Sequence, residues 1–308
     1  DPRNQLIAEL ARTELLVRPF SGYIFLCGGP IDVRASQPVS IRDALLRRLH
    51  ENPNISDSVK IAEDFQEWGF DGIYTDLLTF ETHLAELASV IVVILESEGS
   101  LAELGLFSAI DGVKHKIQVF IDEVHYESES FIRLGPIKYM EDALENQAEV
   151  ESWLVKRESG WKYDQGKAAS VSRDITSAVQ HRLDQSKSRE EDFNSEKWLH
   201  RVLLACDVIS FAGALTLSEI SKYLKNFNIE FSQKELKQAL LTAKLVGLVK
   251  SKAKGTQRYY ISMTPKMFIK FRGLDQRVDI DRSKLNILNY YRDNDRKRYF
   301  ALRSERSE

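Results

Sequence analysis

An α/β fold is what this 308-residue sequence predicts: a Rossmann-like parallel sheet with flanking helices, followed by a small winged helix-turn-helix domain. Three observations carry that reading. Strand-length apolar runs alternate with helical patterns through the first half. One of those runs, Val90-Ile91-Val92-Val93-Ile94-Leu95, is wholly aliphatic, as in a strand buried on both faces. The second half carries three amphipathic helical patterns and then a basic hairpin pattern.

Leu6, Ile7, Leu10, Leu15 and Val17 predict a leading helix that ends near Pro19. Tyr23 to Cys27 reads as the first strand, with the turn Gly28-Gly29-Pro30 at its end. Glycines there permit close backbone approach and expose amides to a ligand. No GxGxxG fingerprint follows, and a plain turn fits as well. Ser40 caps a helix to about His50, with Ala44, Leu45 and Leu49 inward and Arg42, Arg47 and Arg48 outward. Val59 to Ala62 is a short strand with Glu63-Asp64 at its end, and Asp71-Gly72 marks a turn. A helix covers Asp76 to Ala88, and the aliphatic strand follows it.

After that strand, Ser100 reads as an N-cap and Glu103 as its capping-box partner. Glu103 has a second reading: with Glu96 and Glu98 nearby, it is a carboxylate at the sheet's carboxyl edge, where α/β proteins place ligands. Such a group serves as a nucleophile or stabilises an oxocarbenium ion. Lys116 to Ile121 is the next strand, Ser130 to Met140 a helix broken at Gly135-Pro136, and Glu151 to Val155 a last strand. Ser170 to Ser186 reads as a closing helix. The expected domains are 1–186 (catalytic), 187–194 (linker), 195–270 (winged helix) and 271–308 (a basic, aromatic extension).

In the second half, Trp198 to Ile209 is a first helix; Thr216 with Glu219, and Ser232 with Glu235, open two more as capping boxes. Gly247 ends the third, and a hairpin turns at Lys254-Gly255-Thr256. Lys234, Lys237 and Lys244 on the third helix, with Lys250, Lys252, Lys254 and Arg258 on the hairpin, suit nucleic-acid phosphates. Dimerisation or protein docking would also fit a winged helix. In the tail, Tyr290, Tyr291 and Tyr299 interleave with Arg292, Arg296, Lys297 and Arg298; that mix suits nucleic acid, or a solvated extension.

Charge divides unevenly. Residues 201–308 hold 22 Lys and Arg against 11 Asp and Glu, and the preceding residues hold 21 against 35. An acidic catalytic half and a basic half that touches nucleic acid fit that split, as does mutual attraction of the halves. Only Cys27 and Cys206 are cysteines, and the six histidines lack ligand spacing, so no metal or cofactor is expected. No apolar run reaches the ~20 residues of a membrane span, and no secretory signal is visible; the expectation is a cytoplasmic protein.

The residues Ile24-Phe25-Leu26-Cys27-Gly28-Gly29, Thr75-Asp76-Leu77-Leu78 and Gly99-Ser100-Leu101-Ala102-Glu103-Leu104-Gly105 resemble the nucleoside 2-deoxyribosyltransferase-like family. Such a domain joined to a winged helix is similar to the effector protein of bacterial retron anti-phage systems. Residues 77–108, with Glu81, Glu96-Ser97 and Gly99-Ser100, look closest to those effectors. The resemblance implies that Glu103 is the nucleophile of an N-glycosidase, that Asp76 helps hold the sugar and that Gly28 and Gly29 border sugar and phosphate. Ser97, Glu98, Gly99 and Ser100 complete the implied substrate set. The family's usual aspartate six residues before the nucleophile is absent; Ser97 stands there. That departs from nucleoside salvage and leaves nucleotides or NAD as substrate. The implied partners are a retron reverse transcriptase, its branched RNA–DNA product (msDNA) and further copies of the chain. A nucleotide-sensing winged-helix transcriptional regulator without turnover is the competing reading. The Pro-Gly-Gly-x-Gly-Thr signature of the related phosphoribohydrolases is absent.

Overall fold

The structure, a computed structural model, describes residues 1–69, 72–185, 190–275 and 277–303. The chain divides into a sheet unit, Ser21–Trp68 with Asp76–Ser188, and a C-terminal unit, Asp1–Phe20 and Gly69–Thr75 with Arg189–Glu308. Residues 1–20, read from sequence as part of the first domain, thus cluster with the C-terminal unit. The expected boundary at 186, linker residues 187–189 and Asp71 lie outside the described residues.

Helix α1 (Pro2–Leu10) and strand β1 (Glu14–Val17) open the chain. The expected single leading helix therefore ends early. Leu15 and Val17 lie in a strand, paired later in the C-terminal unit, which satisfies backbone groups that a helix would otherwise satisfy.

The sheet unit runs β2 (Tyr23–Cys27), α2 (Ile41–His50), β3 (Val59–Lys60), α3 (Leu77–Leu87), β4 (Ala88–Ile94), α4 (Glu98–Ser108) and β5 (Ile117–Asp122). Then come α5 (Glu123–Tyr126), α6 (Lys138–Leu144), β6 (Glu149–Glu151), β7 (Leu154–Arg157), β8 (Gly160–Tyr163) and α7 (Gln165–Gln185). Five parallel strands pair in the order β3-β2-β4-β5-β6. The aliphatic run makes β4, and Val90 to Ile94 are fully buried, as a central strand covered on both faces requires. On one face Leu45 and Leu49 of α2 and Val171, Ile175 and Val179 of α7 pack on Ile24, Leu26, Val90 and Val92. Phe107 of α4 packs against Phe25, and Phe80 of α3 against Phe65.

The chain leaves β2 for β3 on one side, then crosses back past β2 to β4. Strand order reverses between β2 and β4, and in such sheets the crevice beyond their carboxyl ends is the usual ligand site. Gly28-Gly29 and Glu96-Ser97 stand there.

Three local readings change. Helix α4 begins at Glu98, not near Ser100: Ser97 accepts the Ser100 amide, and the capping box is Ser97 with Ser100. Glu103 is therefore free of capping. The expected strand 151–155 is split, because buried Asp122 accepts the amides of Trp153 and Leu154. Those amides are lost to the ladder; β6 stays in the sheet while β7 pairs with β8. The expected helix over 130–140 regularises only as α6, after a wide turn at Arg133–Ile137 that contains Pro136.

The C-terminal unit continues with β9 (Glu191–Asp192), α8 (Trp198–Ala212), β10 (Ala214–Leu215), α9 (Leu217–Leu224), α10 (Gln233–Leu245), β11 (Val249–Lys254) and β12 (Gln257–Ser262). Strand β13 (Ile269–Arg272) and helices α11 (Ile280–Asn294) and α12 (Arg296–Arg303) follow. Both predicted capping boxes form, at Thr216 and Ser232. The sheet β10-β12-β11 beside helices α8, α9 and α10 has the plan of a winged helix, and Gly255 turns its wing at φ +66°. A second sheet, β13-β1-β9, joins the chain's start to residues 269–272.

The tail is not a solvated extension within the described residues. Ile287, Tyr291 and Ala301 are buried, and the Tyr291 hydroxyl donates to the Ala212 carbonyl. Buried Arg298 bonds Glu219 and the Ala214 carbonyl and lies over Tyr259 and Tyr291. Tyr291 and Arg298 thus serve the core and are withdrawn from any nucleic-acid surface.

Candidate functional site

The turn after β2 is closed by the chain's own carboxylate. Glu96 accepts the amides of Gly29 (3.1 Å), Ile41 (2.9 Å) and Arg42 (2.8 Å). Burial raises its pKa, and those amides pull the other way. The amino end of α2, a ready anion site, is thus filled from within. A Cβ on Gly29 would lie 2.8 Å from Glu96 Cδ, and one on Gly28 2.9 Å from Arg42 Cβ. Both glycines make room for the chain's own side chains, and the Gly29 amide is spent on Glu96 rather than exposed.

Arg42 is buried, contrary to its outward placement from sequence. Its guanidinium donates to the Leu26 and Gly29 carbonyls and forms a two-pronged pair with Glu63 at 2.9 and 2.7 Å. Periodicity assigned it outward as a charged residue; the carbonyls at the end of β2 give it partners inside. Burial pulls the Glu63 carboxyl up, but Arg42 outweighs that and holds it below its ordinary value.

Glu103, on α4, belongs to this end of the sheet. Burial pushes its pKa up to about 7, the Glu81 carboxyl adds to that, and Arg42 and the Cys27 thiol oppose it. Cys27 is fully buried, and its own ionisation is suppressed by burial and then by Glu103. Glu81, on α3, is 9% exposed, and its pKa is raised by burial and by Glu63. Cys27, Arg42, Glu63, Glu81 and Glu103 therefore form one coupled cluster of groups at the carboxyl edge of β2.

The other expected substrate residues divide. Ser97 Oγ donates to the Gly28 carbonyl at 2.8 Å while capping α4, and Ser100 is fully buried and bonded back to Ser97. Asp76 is exposed and caps α3 by accepting the Thr79 amide. Gly99 is exposed on the first turn of α4. Ser97 and Glu98, with Leu101, line a cleft of about 530 Å³ bounded also by Ile121, His125 and Trp153. Glu103 does not line it: helical side chains two positions apart point roughly 200° from each other, so Leu101 and Glu103 face opposite ways. The expected substrate set thus spans two sides of α4. Sequence reading gave no role to Arg42 or Cys27; Cys27 directly precedes the Gly28-Gly29 turn, whereas Arg42, in α2, reaches it only in the fold.

In the C-terminal unit, Lys237 of α10 and Arg258 of the wing line a groove of about 640 Å³ with Thr216, Leu217 and Ser218 at the start of α9. Lys234 borders a recess of about 190 Å³ with Lys237, Gly72 and Ile73. Lys244 is exposed in the last turn of α10. Arg258 stands opposite Ala253 in the hairpin register, so alternation sends Lys250, Lys252 and Lys254 to the other face. The seven expected cations therefore do not make one surface. Tyr74 further covers α10 on the side of Gln238 and Thr242: its hydroxyl bonds the Gln238 carbonyl and Thr242.

Among the described residues no group of three potential ligands could hold a metal ion, and no helix is long and apolar enough to cross a membrane. A profile of the STM3845 retron effector protein family matches residues 38–251. The "Retron Ec73 putative ribosyltransferase/DNA-binding protein" of Escherichia coli is 25% identical over 238 residues, 69% of this chain and 69% of that protein. The "Retron Ec86 putative ribosyltransferase/DNA-binding protein" of Escherichia coli is 34% identical over 122 residues, 38% of this chain and 36% of that protein. The match spans most of the sheet unit and the winged helix through the start of β11, and this chain belongs to the STM3845 retron effector protein family.

Proposed function

We propose that the sheet unit is an N-glycosidase of the nucleoside deoxyribosyltransferase type, with Glu103 as its nucleophile. The observation that carries this is the Glu103 carboxyl itself: partly buried, relieved of any capping duty, at the strand switch and poised near neutrality. Ionised Glu103 attacks the anomeric carbon, the base leaves through an oxocarbenium-like state, and water resolves the glycosyl-enzyme. Hydrolysis rather than base exchange suits an effector, because the loss is irreversible. The substrate is a nucleotide or NAD. The names of both Escherichia coli relatives pair ribosyl transfer with DNA binding, which supports the same division of labour here.

In this reading the winged helix of residues 195–270 binds nucleic acid through Lys237 and Arg258. The chain is a toxin of anti-phage defence, held in check by a retron reverse transcriptase with its msDNA, and it works as a homo-oligomer. Purified protein incubated with NAD, ATP and deoxynucleotides tests the chemistry: free base is expected from at least one, and none with Glu103→Gln. Base release that survives Glu103→Gln would remove Glu103 from the mechanism.

The cleft beside Ser97 and Glu98 favours a second reading, a ligand-sensing regulator without turnover, because it offers a binding volume away from Glu103. That reading expects nucleotide-dependent duplex binding and no released base.

A further inference from the structure

We propose that the β7–β8 hairpin and the cleft at its root form one site for single-stranded nucleic acid. An unpaired base enters the cleft, its phosphate meets Lys156, and the next base stacks on Trp161. The site lies wholly within the sheet unit and does not need Glu103 to be a nucleophile. It adds a second nucleic-acid surface to that of the winged helix.

Strands β7 and β8 pair only with each other among the described residues. Their register sets Lys156 opposite Trp161 and Leu154 opposite Tyr163. Cross-strand partners share a face, and so do residues two apart along a strand. These four side chains therefore lie on one face of the ribbon. Leu154 and Tyr163 line the cleft of about 530 Å³. The pleat carries Lys156 and Trp161 about 7 Å further along, so they continue the same wall outward. Two tryptophans of this region are treated differently. Trp153, at the root, lines the cleft and is 1% exposed, whereas Trp161 is 46% exposed. A tryptophan kept for packing alone would be covered as Trp153 is. Lys156, Arg157 and Lys162 are all exposed, and none has an ion-pair partner among the described residues.

The charges sort the ligand along this wall. The half of the chain that holds the hairpin is acidic, yet Lys156, Arg157 and Lys162 fall within seven residues, with Glu158 the one acid between them. Inside the cleft the signs reverse: exposed Glu98 lines it, and so does Glu96, which already holds three amides. Carboxylates there repel phosphate, so the neutral base is the part that enters, beside Trp153, with His125 and Ser130 as polar neighbours. The phosphate stays outside with Lys156. Trp161 then offers a flat ring to the next base, a contact open to any sequence because every base has a π-face. Duplex bases are stacked and paired already, so a single strand fits and a duplex does not. Arg157 and Lys162, on the opposite face by alternation, strengthen the field without direct contact. A membrane-binding ribbon would expose several large apolar side chains, and Trp161 is the only one exposed on this hairpin.

The test is binding of a fluorescein-labelled oligo(dT) strand of about 12 nucleotides to the full chain over a salt series, with a duplex of equal length beside it. The wild type should bind the strand. Trp161→Ala should weaken that binding by ~10-fold, the usual size of one lost stack, and leave duplex binding unchanged. Trp161→Phe, which keeps a ring, should recover most of the loss. Lys156→Ala should lower the log–log salt slope by about 0.7, one single-strand phosphate, and Arg157→Ala and Lys162→Ala should lower it less. A strand carrying 5-iodouracil should cross-link on irradiation to the peptide that contains Trp161, and that position decides the matter if Trp161→Ala fails to fold. Undiminished strand binding by folded Trp161→Ala overturns the inference, as does a wild type that binds no single strand. Equal affinity for free NAD overturns the strand assignment, and so does a Trp161→Ala loss seen on anionic lipid vesicles but not on strands. Glu103→Gln should bind the strand as the wild type does while it releases no base, so this site and the nucleophile fail separately.

Discussion

Two partly buried carboxyl groups, Glu219 in the C-terminal unit and Glu103 in the sheet unit, are treated in opposite ways. In the C-terminal unit Glu219 caps α9 and pairs with both Arg3 (2.8 Å) and Arg298 (3.0 Å), and both arginines hold it below its ordinary pKa despite burial. Asp207, fully buried, accepts the amides of Phe268 and Ile269, yet burial still pushes its pKa up to about 7. In the sheet unit Glu81 has no hydrogen-bond or ion-pair partner among the described residues, and Glu103 has the Cys27 thiol and the charge of Arg42; burial pushes both up. Saturated charge marks architecture, because each partner repays desolvation. Under the proposed function, the unsaturated charge of Glu103 is met by a ligand.

That contrast can be broken in several places. The largest effect on stability belongs to Arg298→Ala, which leaves Glu219 facing Arg3 alone and deletes a buried cation over two tyrosine rings. It should cost about 3 kcal/mol or more in chemical denaturation, whereas Glu81→Gln should cost little or stabilise. Equal losses would erase the distinction between the units.

A second test is in pH. The ordinary pKa of Glu103 is 4.5 and its folded value about 7. Between those values the folded chain binds more protons than the unfolded one, so this group's contribution to stability is lost as pH rises from about 4.5 through 7. Glu103→Gln should remove that part of the slope. The Tm of the variant relative to wild type should therefore climb from pH 5 to pH 8; a constant difference would contradict the raised value.

Smaller effects separate the cations of the winged helix. Lys237→Ala and Arg258→Ala should each lower the salt dependence of nucleic-acid binding by about 0.9 in log–log slope, one phosphate contact apiece. Lys254→Ala, on the other hairpin face, should change the slope less. Smallest is Ser97→Ala, which removes the α4 cap and should cost about 1 kcal/mol of stability. Loss of substrate affinity without loss of stability would instead return Ser97 to the substrate set.

The parallel sheet, the alternation of its strands and helices and both C-terminal capping boxes were legible because hydrophobic period and cap chemistry are local; the strand order β3-β2-β4-β5-β6 was not read from sequence. The start of α4 was misplaced by the same logic: Ser97 and Ser100 are both good caps, and only the Gly28 carbonyl, far away in sequence, favours Ser97. Arg42 shows a deeper limit. A charged residue on a helix reads as outward until its partners, two strand-end carbonyls and Glu63, are folded around it. Leu15 and Val17 became a strand because residues 269–272 offered one to pair with. The position of Glu103 could be read from its motif; that burial and the Glu81 carboxyl raise its pKa could be read only from the fold.

The most direct measurement is mass spectrometry of metabolites from cells that express this chain without its retron partners, compared with cells that express Glu103→Gln. The account predicts one nucleotide or NAD pool falling as its free base accumulates, with the variant leaving that pool intact at equal protein level. An unchanged metabolite profile in toxic wild-type cells, or equal depletion by both proteins, would contradict it.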